Sequence, residues 1–195
     1  MSRPGYGSRH PCIEQLIAAG DPLATEHVTW PVVGLELVCT AYAREPDGID
    51  DALIRSVRCL TRVDHRIVVC DTPDGEHVLP GGRREAGETH EETAIREVHE
   101  ETGWHVIPRT VTYLGLFHIE FINVEKTDPA LPSPDIIQLI FTGIASDRDV
   151  DADAEWKDTE GWEQGSRLVA IQEVHEIVSS PVQRAFVDLV RRSIS

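Results

Sequence analysis

The order of strand and helix signals along the chain predicts an α/β protein, a mixed β-sheet with helices on its faces. Three observations carry that expectation. Short apolar runs bounded by Gly, Pro and Asp turns recur through the chain, separated by segments of helical spacing. One of those segments, residues 89–103, carries both its start and its stop signal. At 195 residues with 41% hydrophobic residues, the chain can also bury a substantial core without disulfide or metal staples.

Residues 1–30 read as an extension ahead of a main domain at 31–195, with a short helix from Cys12 to Ala19 that stops at Gly20 and Asp21-Pro22. Pro31 to Ala43 reads as a strand, followed by a polar turn from Arg44 to Asp51. Ala52 to Thr61 and Arg66 to Cys70 read as two strands around a turn at Val63-Asp64-His65. The turn Asp71-Thr72-Pro73-Asp74-Gly75 then leads through Val78 to a glycine loop at Gly81-Gly82. Beyond the helix at 89–103, Val106 to Phe121 holds strand material broken near Gly115, and Asp135 to Ala145 is a further strand. The proline-rich stretch Lys126 to Pro134 reads as a loop, as does the acidic stretch Asp147 to Gly165. Leu168 to Ile171 is a last short strand, and Pro181 to Arg192 has helical spacing in Val182, Phe186, Leu189 and Val190. No internal repeat or second domain is visible.

The chemistry concentrates in the helix after the glycine loop. Thr89 caps it, Glu92 three positions on completes a capping box, and Gly103 ends it, giving a helix of about 14 residues. At about 100° per residue, Glu97, Glu100 and Glu101 fall within an arc of roughly 100°, beside the arc of Ile95, Val98 and Thr102. Like charges three and four positions apart repel, so the arrangement calls for a compensating cation. Mg²⁺, with Mn²⁺ as a substitute, suits these hard oxygen donors and leaves positions for water and phosphate. Arg96 can pair with Glu92 or with Glu88 and so orient the carboxylates without touching metal.

Gly82, five residues, Glu88, seven residues, then Arg96-Glu97-Val98-His99-Glu100-Glu101-Thr102-Gly103 resembles the Nudix box of the Nudix hydrolase superfamily. Every fixed position is present, and the match covers residues 82–104. One position departs, since Trp104 stands where the box ordinarily closes with an aliphatic residue. Leu79-Pro80-Gly81 also resembles the family's lead into the box. The resemblance implies an α/β/α sandwich around a central mixed sheet. It implies Glu97, Glu100 and Glu101 as metal-binding glutamates, the Gly81 carbonyl as a further metal ligand, and Arg96 with Glu88 as the pair bracing loop against helix. It also implies hydrolysis of a diphosphate linkage in a nucleoside diphosphate joined to another group, by water attack on phosphorus.

Composition narrows the partners. A formal net charge of −16 argues against a nucleic-acid or anionic-membrane surface, which would need clustered Lys and Arg. It leaves a small nucleotide substrate open, because a bound divalent cation inverts the local field. Cys12, Cys39, Cys59 and Cys70 lack metal-ligand spacing and read as reduced, buried thiols. With no bilayer-length apolar run and no signal-peptide core, a cytoplasmic protein is expected.

Substrate choice must arise outside the box. Trp156, Trp162, Phe117 and Phe121 are aromatics that can stack a base, although a core role is the commoner one. Asp153, Glu155, Asp158, Glu160 and Glu163 are candidate general bases, with Glu160 and Glu163 preferred among them. His90, His99 and His105 read as surface histidines, with His99 pointing away from the glutamate arc, and His118 has no assigned role. The alternatives are a nucleotide-binding regulatory module without turnover and an acidic interaction module without metal dependence. A homodimer through the N-terminal extension is a further expectation of the family resemblance.

Overall fold

A computed structural model describes residues 9–30, 34–122, 135–149 and 163–194. The N-terminal helix α1 (Pro11–Ala18) is followed by β1 (Ala24–Trp30), β2 (Leu35–Tyr42), β3 (Ile54–Val63), β4 (Arg66–Thr72), β5 (Gly75–His77) and the two-residue β6 (Gly81–Gly82). Next come helix α2 (His90–Thr102), β7 (Trp104–Val106), β8 (Thr112–Phe121), β9 (Asp135–Arg148), β10 (Gly165–Ala170), the short α3 (Val174–Ile177) and α4 (Pro181–Ser193). Strand order in the sheet is β1-β2-β8-β9-β3-β4-β10. The pair β3–β9 runs parallel while its neighbours run antiparallel, which makes the sheet mixed as expected.

Each face of the sheet carries its own core, because alternate strand residues point to opposite sides. On one face Leu60, Ile67, Val69, Phe117, Ile119 and Ile140 pack under α4, which contributes Val182, Phe186, Val187 and Val190. On the other, Val57, Cys59, Leu116, Ile137, Leu139 and Phe141 pack under Ala94 and Val98 of α2 and Cys12, Ile13 and Leu16 of α1. The result is three layers, helix, sheet and helix. Helix α4 begins as sequence chemistry directs, with Ser180 accepting from the Gln183 amide and Pro181 in the first turn.

Several local expectations shift. The segment Ala24–Trp30 is a strand that pairs with β2 from Ala24↔Ala41 to Trp30↔Leu35, so the stretch expected ahead of the domain supplies both a helix and an edge strand to these layers. The interruption expected near Gly115 lies instead at residues 107–111, where Pro108 cannot continue a ladder; Gly115 is only a bulge within β8. Strand β9 runs on to Arg148 because β7 pairs with its end through Trp104↔Arg148. All four cysteines are free and buried, with burial pushing the Cys59 thiol up to about 12. Among the described residues no helix is long and apolar enough to cross a membrane.

A divergence in the sheet makes room for the glycine loop. Strand β4 pairs with β3 only at Arg62↔Ile67 and Val63↔Arg66, then turns away. Gly81 and Gly82 occupy the edge that β4 leaves, opposite Arg58 and Val57, and the Cys59 amide donates to the Pro80 carbonyl at 3.0 Å. This seats the loop directly over the C-terminal half of α2.

Candidate active site

Helix α2 is anchored at both ends by its own sequence. The Thr89 hydroxyl accepts from the Glu92 amide while the Glu92 carboxylate accepts from the Thr89 amide, and Gly103 closes the helix in the left-handed conformation. With Glu92 committed to the cap, Arg96 turns to Glu88, donating from Nε to Oε1 at 2.7 Å and from Nη2 to Oε2 at 3.1 Å. This two-point contact is the charge-assisted fork that guanidinium and carboxylate geometries favour. Glu88 also accepts from the Glu85 amide and the Thr93 hydroxyl, and the Arg96 bond is the main reason its carboxyl titrates at about 2.

The remaining donors of Arg96 reach the carboxylates themselves. Its Nη1 donates to Glu97 Oε1 at 2.9 Å and to Glu100 Oε2 at 2.8 Å, and Nη2 donates to the Arg83 carbonyl at 2.9 Å. One side chain therefore ties the loop, the start of α2 and two of the three box glutamates together. The third, Glu101, turns to the loop and accepts from the Gly81 amide at 2.8 Å.

The two loop glycines answer two different steric demands. Gly81 has φ +152°, and a Cβ there would lie 2.2 Å from the Val57 carbonyl oxygen and 2.6 Å from Arg58 Cα, so the sheet backbone forbids a side chain. A Cβ on Gly82 would instead lie 2.5 Å from Glu97 Oε1. The absent side chain at 82 is what lets the Glu97 carboxylate lie against the strand.

Glu101 is the electrostatically costly member. Burial, aided by the charges of Glu163 and Glu97, pushes its carboxyl up to about 8, against the opposing pull of Arg58 and the Gly81 amide. Three carboxylates on one helix face beside a backbone strand form an all-oxygen donor set, the kind that suits Mg²⁺ or Mn²⁺, and a cation would offset the repulsion that Glu101 bears. Gly81, Glu88, Arg96, Glu97, Glu100 and Glu101 are thus brought together in one place.

Residues outside the box fared unevenly. Phe117 and Phe121, weighed as base-stacking aromatics, are buried in the core under α4. Trp156, Trp162, Asp153, Glu155, Asp158 and Glu160 lie outside the described residues. Glu163 is buried, its Oε1 accepts from His77 Nε2 at 2.9 Å, and its charge is felt at Glu101. His77 is fixed in turn, because its Nδ1 accepts from the Leu79 amide at 3.3 Å, leaving the proton on Nε2. His118 pairs with buried Asp135 at 2.7 Å, and His90 approaches Asp51 at 3.6 Å. Arg58 was not anticipated. It donates to the Leu79 carbonyl at 2.9 Å and opposes the buried charge of Glu101; the one signal for it was a cation set inside the apolar run Val57 to Leu60.

Comparison with known proteins bears on the fold and the family. A pyrophosphohydrolase of Bacillus subtilis superposes with a TM-score of 0.56 at 19% identity, over 86% of this chain and 97% of that one. A NUDIX hydrolase from Nitrosomonas europaea gives 0.52 at 19% identity, over 72% of this chain and 90% of its own. At such identity the likeness speaks for the fold alone. No curated protein matches the chain at a significant level. The NUDIX domain model, however, matches residues 53–190, a span that contains the splayed strands, the glycine loop and the whole of α2. The chain belongs to the Nudix hydrolase superfamily.

Proposed function

We propose that the protein is a divalent-metal-dependent hydrolase that cleaves the diphosphate linkage of a nucleoside diphosphate joined to another moiety. The observation that carries this reading is the seating of Glu97 against Gly82 and of Glu101 on the Gly81 amide, with Arg96 bracing Glu97 and holding Glu100 one turn away on the same helix face. Glu97, Glu100, Glu101 and the Gly81 carbonyl would hold Mg²⁺ or Mn²⁺, which when bound neutralises diphosphate charge and acidifies water.

The chain's own groups supply the rest. Arg96 and Glu88 hold loop and helix in register, so the carboxylates meet the substrate already oriented. Glu163 is the one candidate base among the described residues that is coupled to the box, and His77 fixes its carboxylate by donating to Oε1. Water oxygen bonds to one phosphorus, the bridging P–O bond breaks, and Glu163 takes the water proton.

Phosphate release tests this, measured with and without added phosphatase over nucleoside triphosphates, nucleoside diphosphate sugars, ADP-ribose and dinucleotides in Mg²⁺, Mn²⁺ and EDTA. Turnover of one class in Mg²⁺ that EDTA abolishes is the expected result. A nucleotide that raises the melting temperature without being turned over would favour a binding module instead.

A further inference from the structure

Away from the glutamate face of α2, three side chains from three separate stretches of the chain converge. His99 stands in the last turn of α2, His105 in β7, and Asp149 one residue beyond β9. His99 Nε2 is 2.9 Å from Asp149 Oδ2 and His105 Nε2 is 2.7 Å from Oδ1. The two imidazoles stack, with centroids 4.5 Å apart and planes at 29°, and one donor atom from each of the three residues lies within 4.8 Å of the others.

We propose that His99, His105 and Asp149 form a second metal site, one for Zn²⁺ and other imidazole-preferring divalent ions, independent of the box carboxylates. The donor types decide the class. Two imidazole nitrogens and one carboxylate suit Zn²⁺, Ni²⁺ or Cu²⁺, whereas Mg²⁺ takes oxygen in near-ideal octahedra. The spacing fits as well. A tetrahedral zinc with bonds of about 2.0–2.1 Å sets its ligand atoms about 3.3 Å apart, so small side-chain rotations admit the ion between donors now 2.7 and 2.9 Å apart.

The backbone under the three donors is already fixed. Gly103 caps α2 by donating to the His99 carbonyl at 2.8 Å, β7 pairs with β9 through Trp104↔Arg148 and His105↔Asp147, and the Asp149 amide donates to the Gly103 carbonyl at 3.1 Å. Arg148 adds a bond from Nε to the Thr102 carbonyl at 3.1 Å. Site precision comes from such rigid elements. The side chains are 37%, 44% and 40% exposed, so an ion enters from solvent and keeps water on its open position. An ion held there clasps the end of α2 to the end of β9.

The test is a Zn²⁺ titration of the EDTA-stripped, dialysed full chain in excess Mg²⁺, read against a chromophoric chelator, with Co²⁺ absorption as a second probe of coordination. One Zn²⁺ per chain is expected, with a raised melting temperature and a tetrahedral Co²⁺ spectrum. His99→Ala/His105→Ala should weaken Zn²⁺ by at least roughly 10- to 100-fold, since losing direct ligands costs no less than losing their supports. Asp149→Asn gives a milder second variant, and both should keep their circular dichroism and their turnover in Mg²⁺. Glu97→Gln/Glu100→Gln/Glu101→Gln should keep the Zn²⁺ while abolishing turnover. Absence of Zn²⁺ binding in Mg²⁺, unchanged binding in the folded double-alanine variant, or loss of binding in the triple-glutamine variant would each overturn the proposal. None of these metal-binding readouts depends on whether a diphosphate substrate is turned over.

Discussion

Replacing Glu101 by glutamine separates what its charge does for stability from what it does for turnover. Its carboxyl titrates at about 8 in the folded chain against an ordinary 4.5. Below about pH 4.5 the group is protonated whether or not the chain is folded, and its charge has no differential effect. As pH rises from there, the unfolded chain releases the proton first, so the native state loses stability until Glu101 itself ionises near pH 8, where the loss levels off. At about 1.36 kcal/mol per pH unit, the penalty grows from about 1 kcal/mol at pH 5 to about 3 kcal/mol at pH 7. Glutamine keeps the shape without the titration. Urea unfolding in EDTA at pH 5 and pH 7 should therefore show the variant gaining about 2 kcal/mol on the parent chain between the two, while diphosphate hydrolysis in Mg²⁺ falls by orders of magnitude. Parallel stability profiles for the two proteins would refute the burial argument, and undiminished turnover would refute the site assignment.

The two loop glycines should fail in different ways. Gly81→Ala drives a Cβ into the Val57 carbonyl and Arg58 Cα and should cost at least about 2–3 kcal/mol by urea unfolding, whereas Gly82→Ala meets only the carboxylate end of the Glu97 side chain, leaving the fold intact and the divalent-metal affinity reduced. Arg96→Lys keeps a cation but loses the fork to Glu88 and the reach to Glu97 and Glu100; isothermal titration should show weaker Mg²⁺ binding and urea unfolding a loss of about 1–3 kcal/mol. Glu163→Gln should lower kcat by roughly 10²–10⁴-fold with KM little changed, and an unaltered kcat would remove Glu163 from the reaction.

How much of this was legible in the sequence follows from how local each cause is. The α2 helix was readable because its cap, its capping box and its glycine stop all lie within the segment itself, and the clustering of Glu97, Glu100 and Glu101 follows from helical pitch alone. The choice of Glu88 over Glu92 as the partner of Arg96 was less open than it looked, since a capping box leaves Glu92 occupied. Features that depend on distant pairing were not readable. Strand β1 exists because β2 offers it a full register, β9 outruns its apolar stretch because β7 pairs with its end, and Arg58 meets Glu101 only once β4 has splayed from β3. Two of the aromatic candidates, Phe117 and Phe121, went to the core for a related reason: they fall on the same side of β8, and which side faces α4 is settled by the whole sheet.

The site's stability and its chemistry pull against each other, and the fold reconciles them by assigning the carboxylates different supports. Glu97 and Glu100 share the guanidinium of Arg96, so their charges are partly answered within the helix. Glu101 has no contact of that kind with Arg96 in the described geometry; it faces the Gly81 amide and the field of Arg58 while Glu163 and Glu97 push against it. That makes Glu101 the carboxylate whose repulsion a divalent cation would relieve most, at the cost of displacing a proton held up to about pH 8. Metal affinity at this site should accordingly strengthen as pH approaches 8, as the competing proton is lost. The same coupling explains why the bracing must come from an arginine with four partners: a site one of whose members repels its neighbours keeps its shape only if the loop and the helix are tied by bonds that do not depend on the cation.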